Sequence, residues 1–393
     1  MSEFLKRTWA QIDLDAIEHN YRAIRDSLSD GCRLMAVVKA DAYGHGDGFV
    51  AQTLQHAGAD WFGVSNLEEA IRLRQAGVTR PILILSYTPP EEAARLSSFD
   101  ITQTVISEEY AYALQRAAVA AGVTVTVHIK LDTGMSRVGF FYHDQQADAA
   151  VIDTVAQVCA LTHLRAEGIF THFACADEEL GEAATRRQYA LFMQAIEELK
   201  QRGVTFAIRH CCNSAATLRF PDMHLDMVRP GLILYGLFPS PFLDGGLPLK
   251  AAMSLKTVVS LVKQVPPHTA VSYGGTHQTA ETARIATVPI GYADGYPRAL
   301  SGVADMLVAG QRVPLVGRVC MDQCLLDVTA VDEVTEGMTV TVFGADGAAT
   351  LPVEEMAAWS GSINYETVCL IGKRVPRIFY RDGVIAGKQQ YLE

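Results

Sequence analysis

Lys39 is the residue whose surroundings point most directly to chemistry. The apolar run at residues 34–38 predicts a short buried strand that delivers Lys39 near its end. A turn-prone segment with three glycines follows at residues 44–48, and a helical pattern begins near Asp47, a suitable N-cap. Burial lowers the pKa of a lysine because the ammonium loses its hydration, and the neutral amine is a nucleophile. A lysine leaving a strand is also an ordinary surface residue.

The glycines beside Lys39 favour the chemical interpretation over the surface one. Glycines let backbone amides approach an anion closely. A lysine that can form a Schiff base, next to a phosphate cradle, suggests pyridoxal 5'-phosphate (PLP) as cofactor. The spacing is neither a Walker loop nor G-x-G-x-x-G, so nucleotide-binding interpretations are weak.

Eight apolar, β-rich runs predict the strands that must position this lysine. Helical patterns lie between most of them, which is typical of an α/β fold with a (β/α)8, TIM-like barrel. A doubly wound open sheet is the alternative. The predicted strands are residues 34–38, 61–64, 82–85, 101–106, 123–131, 166–170, 206–210 and 225–228.

The pattern changes after Gly236. A Pro- and Gly-rich segment is followed by short β-type runs, frequent turns and one helical stretch at residues 353–359. We therefore predict a PLP-binding barrel over residues 1–240 and a mostly β C-terminal domain over 241–393. Residues 1–13 are predicted to be able to pair with the C-terminal domain.

Composition limits the class of protein. Of 393 residues 49% are hydrophobic and 20% charged, enough for a sizeable core. The net charge of -11 argues against nucleic acid or an acidic membrane surface as partner. Eight cysteines without a C-x-x-C pair indicate reduced thiols and no metal site. The first residues lack an apolar signal core, and no stretch is long enough to span a bilayer, so a cytoplasmic protein is expected.

Polar residues follow most of the predicted strands. Active sites of barrels collect at the C-terminal ends of the strands. The alternative is that strand exits are polar because they reach solvent. The residues at these ends are Lys39, Ser86, Lys130 with Asp132, His172, Asn213 with Ser214, and Arg229 with Gly231.

Seven ordered motifs make the chain resemble the alanine racemases over nearly its whole length. The resemblance implies a PLP-binding barrel followed by a β domain. It also implies a head-to-tail homodimer whose active sites are shared between the subunits. The motifs are 36–46 (AVVKADAYGHG), 130–137 (KLDTGMSR), 169–174 (IFTHFA), 213–216 (NSAA), 271–274 (VSYG), 291–298 (GYADGYPR) and 316–323 (VGRVCMDQ).

The resemblance implies two catalytic bases, Lys39 and Tyr273 of the partner subunit. Racemisation removes the α-proton from one face of the substrate and returns a proton to the other, so a base is needed on each face. A free tyrosine has a pKa near 10. In the family, a chain of hydrogen bonds helps the tyrosine to ionise. The resemblance implies that this chain runs from Tyr273 through His172 to Arg229. Arg229 would face the pyridine nitrogen of the cofactor and, having donors only, would leave it unprotonated.

Further residues match cofactor- and substrate-binding positions of the family. Arg137 would contact the cofactor's phenolic oxygen and the substrate carboxylate, which the backbone amide of Met321 also binds. Lys130 matches a lysine that is carbamylated in many relatives; a plain lysine near Asp132 is the alternative. Lys373 replaces a tyrosine near the phosphate and the substrate side chain. The residues at the phosphate would be Tyr43, Ser214, Gly231 and Leu232, with Asn213 as a further cofactor-binding residue. The residues around the entrance would be Asp177, Tyr292, Arg298, Arg318 and Asp322.

The leading interpretation is interconversion of L- and D-alanine, supplying D-alanine for peptidoglycan. A racemase that prefers serine or accepts several small amino acids is the alternative. Lys373 supports it, because a polar pocket accepts an added hydroxyl. A non-catalytic PLP-binding carrier would lack the β domain and the Tyr273 motif. A PLP-dependent decarboxylase on the same barrel is the remaining alternative, and no glycine triplet of that type is visible.

Overall fold

The computed structural model describes residues 4–392, which divide into two compact units. One unit contains residues 17–42 and 47–250; the other contains the residues up to 16, residues 43–46 and those from 251 onward. Residues 1–3 and 393 of the predicted domains lie outside the described residues. The predicted boundary at 240 and 241 stays a prediction.

The first unit contains a nearly closed barrel of eight parallel strands. The eighth strand pairs in parallel with the first, and the Arg229 N–H donates to the carbonyl of Cys212 (3.0 Å) near the seventh strand. The predicted (β/α)8 barrel is therefore confirmed, and the open sheet was the wrong alternative. The strands are Arg33–Val37, Trp61–Val64, Ile82–Ile84, Ile101–Val105, Val125–Asp132, Leu164–Phe170, Ile208–His210 and Met227–Val228, with Phe140–Phe141 beside the fifth.

Helices alternate with the barrel strands. The first begins at Leu14, where the Asp13 carboxylate accepts the N–H groups of Asp15 (2.9 Å) and Ala16 (3.0 Å). Asp13 is thus the cap of this helix. Within residues 4–392, no helix is both long and apolar enough to cross a membrane. The helices between residues 14 and 219 are Leu14–Asp26, Asp47–Ala57, Leu67–Gln75, Ala93–Ser98, Glu108–Ala121, Ala149–Cys159, Glu182–Gln201 and Ser214–Arg219.

An apolar cluster drawn from six of the eight strands stabilises the barrel. Each large side chain fully removed from water contributes about 1.5–3 kcal/mol. Parallel strands between helices are buried on both faces, which explains why they appear in the sequence as continuous apolar runs rather than alternating ones. The cluster consists of Met35, Trp61, Leu83, Phe170, Ile208 and Met227.

The second unit is mostly β, as predicted. The strand Thr8–Asp13 pairs antiparallel with Met253–Val258 and parallel with Arg377–Arg381, inside an eight-stranded sheet. The remaining strands of the unit are Leu261–Val265, Ala270–Val271, His277–Gln278, Ala283–Val288, Asp305–Val308, Gln311–Pro314, Cys324–Asp327, Thr339–Asp346, Ala349–Leu351 and Val384–Gln389.

The second unit contains two helices where the sequence predicts one. Val353–Ser360 ends at Gly361, which adopts the left-handed conformation (φ 70°). Asn364–Cys369 follows after a short turn. The prediction missed this helix because six residues are too few to show a helical period.

Candidate active site

The backbone immediately after Lys39 turns in the left-handed sense. Residues 40–43 all have φ between 52° and 56°, although none is glycine. Each such residue costs roughly 1–2 kcal/mol, so the surroundings must hold the turn. The Ala42 N–H donates to the carbonyl of Val38 (2.9 Å). The turn ends the first barrel strand abruptly and leaves Lys39 half-buried at its C-terminal end.

The buried carboxylate of Glu69 stabilises this turn. Its two oxygens accept the N–H groups of Ala40 (2.9 Å) and Ser65 (2.7 Å). Glu69 lies in the first turn of Leu67–Gln75, where the helix dipole favours a negative charge. The sequence analysis missed Glu69. The available signal was the spacing from Asn66, which caps this helix and precedes Glu69 by three residues.

Packing inside the second unit accounts for the glycines that follow the turn. A Cβ on Gly44 would lie 2.2 Å from the Val368 carbonyl oxygen, and one on Gly46 would lie 2.6 Å from the Phe379 ring. Both glycines have positive φ. Their role as a phosphate cradle stays a prediction. Tyr43 is buried with its ring 6.2 Å from that of Tyr365, and burial raises the pKa of Tyr43, which keeps its hydroxyl protonated.

Asp132 builds the loop that carries Arg137. Its carboxylate accepts the Arg137 N–H on one oxygen (3.0 Å) and three further N–H groups on the other, from Gly134, Met135 and Ser136 (2.9–3.0 Å). His143 Nε2 lies 3.0 Å from the same carboxylate. Although burial opposes ionisation, these hydrogen bonds, first that of Gly134, lower the pKa of Asp132 to about 2. The Arg137 side chain is exposed.

We expect Asp132→Asn to lower the free energy of unfolding by about 2 kcal/mol at neutral pH. The folded pKa lies below the unfolded value of about 3.9, so the stabilisation is present above that value and is lost as the pH falls towards 2. Urea midpoints at pH 7 and at about pH 3 would measure the difference. The exposed Asp244→Asn is the matched control; an equal loss in both variants would contradict the assignment.

Lys130 is a buried lysine whose amine has no hydrogen-bond partner among residues 4–392. Its Nζ lies 4.8 Å from the centre of the Phe170 ring. Burial, then the charges of Arg229 and Arg137, lower the pKa of Lys130 well below its usual range, against the opposing Asp132. Because the Asp132 carboxylate is engaged by backbone N–H groups, it leaves the amine unsatisfied. Within the described residues, the structure therefore presents a buried amine without a hydrogen-bond partner at this strand end, where burial favours the neutral form.

Arg229 is a buried arginine at the end of the eighth strand. Its Nη2 donates to the carbonyls of Thr171 (2.9 Å) and Cys211 (3.0 Å). Two imidazole nitrogens also contact the guanidinium: His210 Nδ1 at 3.0 Å and His172 Nδ1 at 3.3 Å. Burial lowers the pKa of Arg229 to about 10, which still leaves it charged at neutral pH. The contact between Arg229 and His172 agrees with the hydrogen-bond chain that the family resemblance implies. The sequence analysis missed His210, whose only signal was its position at the end of a strand.

His172 is neutral beside this cation. Loss of solvent around the ring, then the charge of Arg229, lowers the pKa of His172 well below its usual range. Arginine only donates, so the Nδ1 of His172 accepts from Arg229 and its Nε2 carries the proton.

The predicted phosphate residues of the barrel meet at one turn. The Ser214 hydroxyl accepts the Gly231 N–H (2.9 Å), and the Asn213 side chain caps the short helix Ser214–Arg219 through the Ala216 N–H (3.0 Å). Leu232 is buried and begins a 3-10 turn. The sequence thus predicted four residues that the fold brings to one place.

A second group gathers around Tyr273 in the second unit. Ser272 has φ 63° and donates from its hydroxyl to the Arg318 carbonyl (2.7 Å). Met321 lies three residues after Arg318 in the same segment, and its carbonyl accepts the Ala293 N–H (3.0 Å). The ring of Tyr273 is 70% exposed and Met321 is 53% exposed.

Other predicted residues of the second unit lie close to this segment. Tyr292 donates its N–H to the Cys320 carbonyl (3.1 Å), and Asp322 forms an ion pair with Arg374 (2.8 Å). Lys373, next to Arg374, is exposed, and so is Arg298 in a 3-10 turn. Asp177 belongs to the barrel unit, where its carbonyl accepts from the Ser240 hydroxyl (2.8 Å). Among residues 4–392, no three His, Cys, Asp or Glu side chains converge as a metal site would require.

Comparison with known proteins identifies the family. Residues 12–239 match the model of the alanine racemase N-terminal domain, and residues 252–379 match that of the C-terminal domain. An alanine racemase of Desulfovibrio desulfuricans is 47% identical over 96% of this chain and 100% of its own.

Solved structures agree with the sequence comparison. An alanine racemase of Clostridium difficile 630 superposes with a TM-score of 0.94 at 37% identity, covering 100% of both chains. One from Bacillus anthracis, solved with bound L-Ala-P, gives 0.92 at 38% identity, covering 100% of this chain and 99% of that one. The chain therefore belongs to the alanine racemase family, and the protein is an amino-acid racemase.

Proposed function

We propose that the protein is a PLP-dependent enzyme that interconverts L- and D-alanine with two bases, Lys39 and Tyr273 of the partner subunit. The observation that carries the proposal is Arg229, a buried, charged, donor-only side chain at the same barrel end as Lys39. When bound, PLP supplies an electron-withdrawing group that makes the α-proton of an amino acid removable.

The residues present suit this cofactor. Lys39 offers the amine that attaches it, and Arg229 offers N–H donors to its ring nitrogen, which then stays unprotonated. Arg137 would bind the phenolic oxygen and the substrate carboxylate, and the Met321 backbone amide would share that carboxylate. The phosphate would be held by Tyr43, Asn213, Ser214, Gly231, Leu232 and Lys373.

His172 gives the second base the help it needs. Its protonated Nε2 can donate to the phenolic oxygen of Tyr273 of the partner subunit, and the charge of Arg229 lies directly behind it. Both effects stabilise the ionised form of a tyrosine, whose free pKa is near 10. The tyrosine then exchanges a proton with the α-carbon on one face of the substrate, and Lys39 exchanges a proton with it on the other face.

A homodimer explains the exposure of the Tyr273 group. A 70% exposed tyrosine on a strained loop, with a 53% exposed methionine in the adjoining segment, is a costly surface for a monomer. Covering this surface with a second copy would bring the two bases to one site. Asp177, Tyr292, Arg298, Arg318 and Asp322 would then line the entrance. A role in supplying D-alanine for peptidoglycan is proposed from the family resemblance, and the cytoplasmic location stays the prediction made from the sequence.

The test is to incubate purified protein and PLP with L-alanine and, separately, with L-serine, and to follow each D-enantiomer. We expect fast formation of D-alanine by the wild-type protein and formation slower by about 10²–10⁴-fold with Lys39→Ala. Release of CO2 without a D-enantiomer would instead support a decarboxylase. Bound PLP with no turnover would support a carrier.

Lys373 decides between the alanine-selective and the broad or serine-preferring enzyme. We expect Lys373→Tyr to lower the kcat/KM for serine relative to alanine by about 10-fold, because the charged ammonium donor that a serine hydroxyl would meet is replaced by a neutral phenol. The measurement is the ratio of kcat/KM for the two substrates in both proteins. An unchanged ratio would show that Lys373 serves the phosphate only, and Lys263→Tyr on the surface strand Leu261–Val265 is the matched control.

Lys130 is proposed to carry a carbamate that positions Arg137. A neutral amine attacks the carbon of CO2 and releases one proton to solvent, and the carbamate that results is an anion that can pair with an arginine. The buried, unsatisfied Nζ supports this modification. We expect 13CO2 to give a carbonyl NMR signal that disappears in Lys130→Ala, together with a loss of activity of about 10-fold or more. A wild-type protein without that signal at saturating bicarbonate would contradict the modification.

A further inference from the structure

Two histidines are fully buried in the barrel interior. His210 stacks on Phe170 with ring centres 4.7 Å apart, and His128 lies 5.3 Å from the ring of Trp61. Polar rings in apolar surroundings cost free energy unless hydrogen bonds satisfy them. His128 Nδ1 and His210 Nε2 are 2.9 Å apart. The two rings therefore share one hydrogen bond, at one end of a longer chain of such bonds, and among residues 4–392 the Nε2 of His128 has no hydrogen-bond partner.

Arg229 fixes the direction of every hydrogen bond in this chain. Because arginine only donates, the Nδ1 of His210 accepts from it (3.0 Å) and the proton of His210 lies on Nε2. That proton is donated to Nδ1 of His128, so His128 carries its own proton on Nε2. Loss of solvent lowers the pKa of both histidines, and the Arg229 charge acts in the same direction, which keeps both rings neutral.

A break in the strand pairing brings Glu167 to the far end of the chain. Val127 pairs with Ala166, but His128 pairs with Gly168, so Glu167 is a bulged residue. Its carboxylate lies 3.9 Å from the Nε2 of His128, and its side chain is 30% exposed. A Cβ on Gly168 would lie 2.6 Å from the His128 ring, so only glycine leaves room for it.

We propose that His210 and His128 are positioning residues that link the Arg229 guanidinium to Glu167, which acts as its remote counter-charge. The proposal rests on the proposed function, because it gives Arg229 its task at the cofactor ring. Among residues 4–392, no carboxylate forms an ion pair with Arg229. A buried cation without a paired anion is costly.

The chain supplies that anion through two polarised imidazoles. The His210 N–H is hydrogen-bonded to His128, and within the described part of the protein the His128 Nε2–H faces the Glu167 carboxylate across 3.9 Å without a hydrogen bond of its own. The negative charge at that distance polarises both rings, so the His210 lone pair facing Arg229 becomes a stronger acceptor. The groups facing Glu167 are His128, Arg165 and Arg33, and the His128 N–H is the first cause of its lowered pKa. The hydrogen bond of His210 holds the guanidinium in one orientation, which leaves its other donors correctly aimed.

The first test is 15N NMR of the full-length, histidine-labelled protein, with and without PLP. We expect His128 and His210 to be neutral and protonated on Nε2 over roughly pH 6 to pH 8. Glu167→Gln should shift the Nε2 proton of His128 upfield and that of His210 less. Glu197→Gln, which removes an exposed carboxylate, should shift neither. A proton on Nδ1 of His210, or a doubly protonated His128, would overturn the proposal whether or not the protein racemises alanine.

The second test is steady-state kinetics. We expect Glu167→Gln to lower kcat for alanine about 3- to 10-fold with KM nearly unchanged, whereas Glu197→Gln leaves both unchanged. A lower Tm with unchanged kcat would mean that Glu167 is structural only and would overturn the proposal. A wild-type protein that makes no D-alanine would contradict the proposed function. The NMR result would still show whether His210 and His128 are protonated as the proposal requires.

Discussion

Two inactive variants, Lys39→Ala and Tyr273→Phe, are expected to regain activity when they are mixed and allowed to exchange subunits. Each substitution alone should lower kcat about 10²–10⁴-fold, since each removes one of two proton-transferring groups. If a site combines Lys39 of one chain with Tyr273 of the partner subunit, a mixed dimer has one site without either group and one intact site. The exposed ring of Tyr273 is the structural reason for this expectation.

The amount of recovered activity follows from symmetry. Random exchange makes half of the dimers mixed, and half of the sites in those dimers are intact, so recovery should reach about a quarter of wild type. Pairing Lys39→Ala with Lys39→Ala, Tyr273→Phe is the matched control, because no combination there restores a site. Recovery near zero in the first mixture, with exchange verified by mass tags, would place both bases in one chain and contradict the shared site.

The strand-end residues show what the sequence could predict. Lys39, His172 and Arg229 follow apolar runs, and parallel strands bring their ends to one rim, so their grouping follows from pattern alone. Ser214 and Gly231 were both predicted as phosphate-binding residues through the family resemblance, and the structure joins them by a hydrogen bond.

The residues that the sequence analysis missed act through geometry without a local pattern. The left-handed turn at residues 40–43 has the composition of an ordinary helix, so its handedness depends on tertiary contacts such as Glu69. The contact of Glu167 with His128 depends on a one-residue register shift between two strands distant in sequence. A register shift leaves no periodic signal in either strand, because it changes which residues pair and not which residues each strand contains.

Arg229→Glu is expected to divert the enzyme from racemisation towards transamination. The arginine is charged and donates only, so it disfavours a proton on the cofactor's ring nitrogen, whereas a carboxylate would favour one and strengthen electron withdrawal. We expect kcat for D-alanine to fall roughly 10²-fold or more, and pyruvate with pyridoxamine 5'-phosphate to accumulate.

Arg229→Lys separates this electronic effect from loss of structure. Lysine keeps a donor-only positive charge but loses the fork that engages His210, Thr171 and Cys211. We therefore expect slower racemisation in this variant without a rise in the ratio of pyruvate to D-alanine, while Arg229→Glu raises that ratio. Circular dichroism and the absorbance of bound PLP must show that both variants fold and load. A ratio that stays at the wild-type value in a folded, loaded Arg229→Glu protein would mean that Arg229 does not control the cofactor's protonation, and its task would be to support His172 alone.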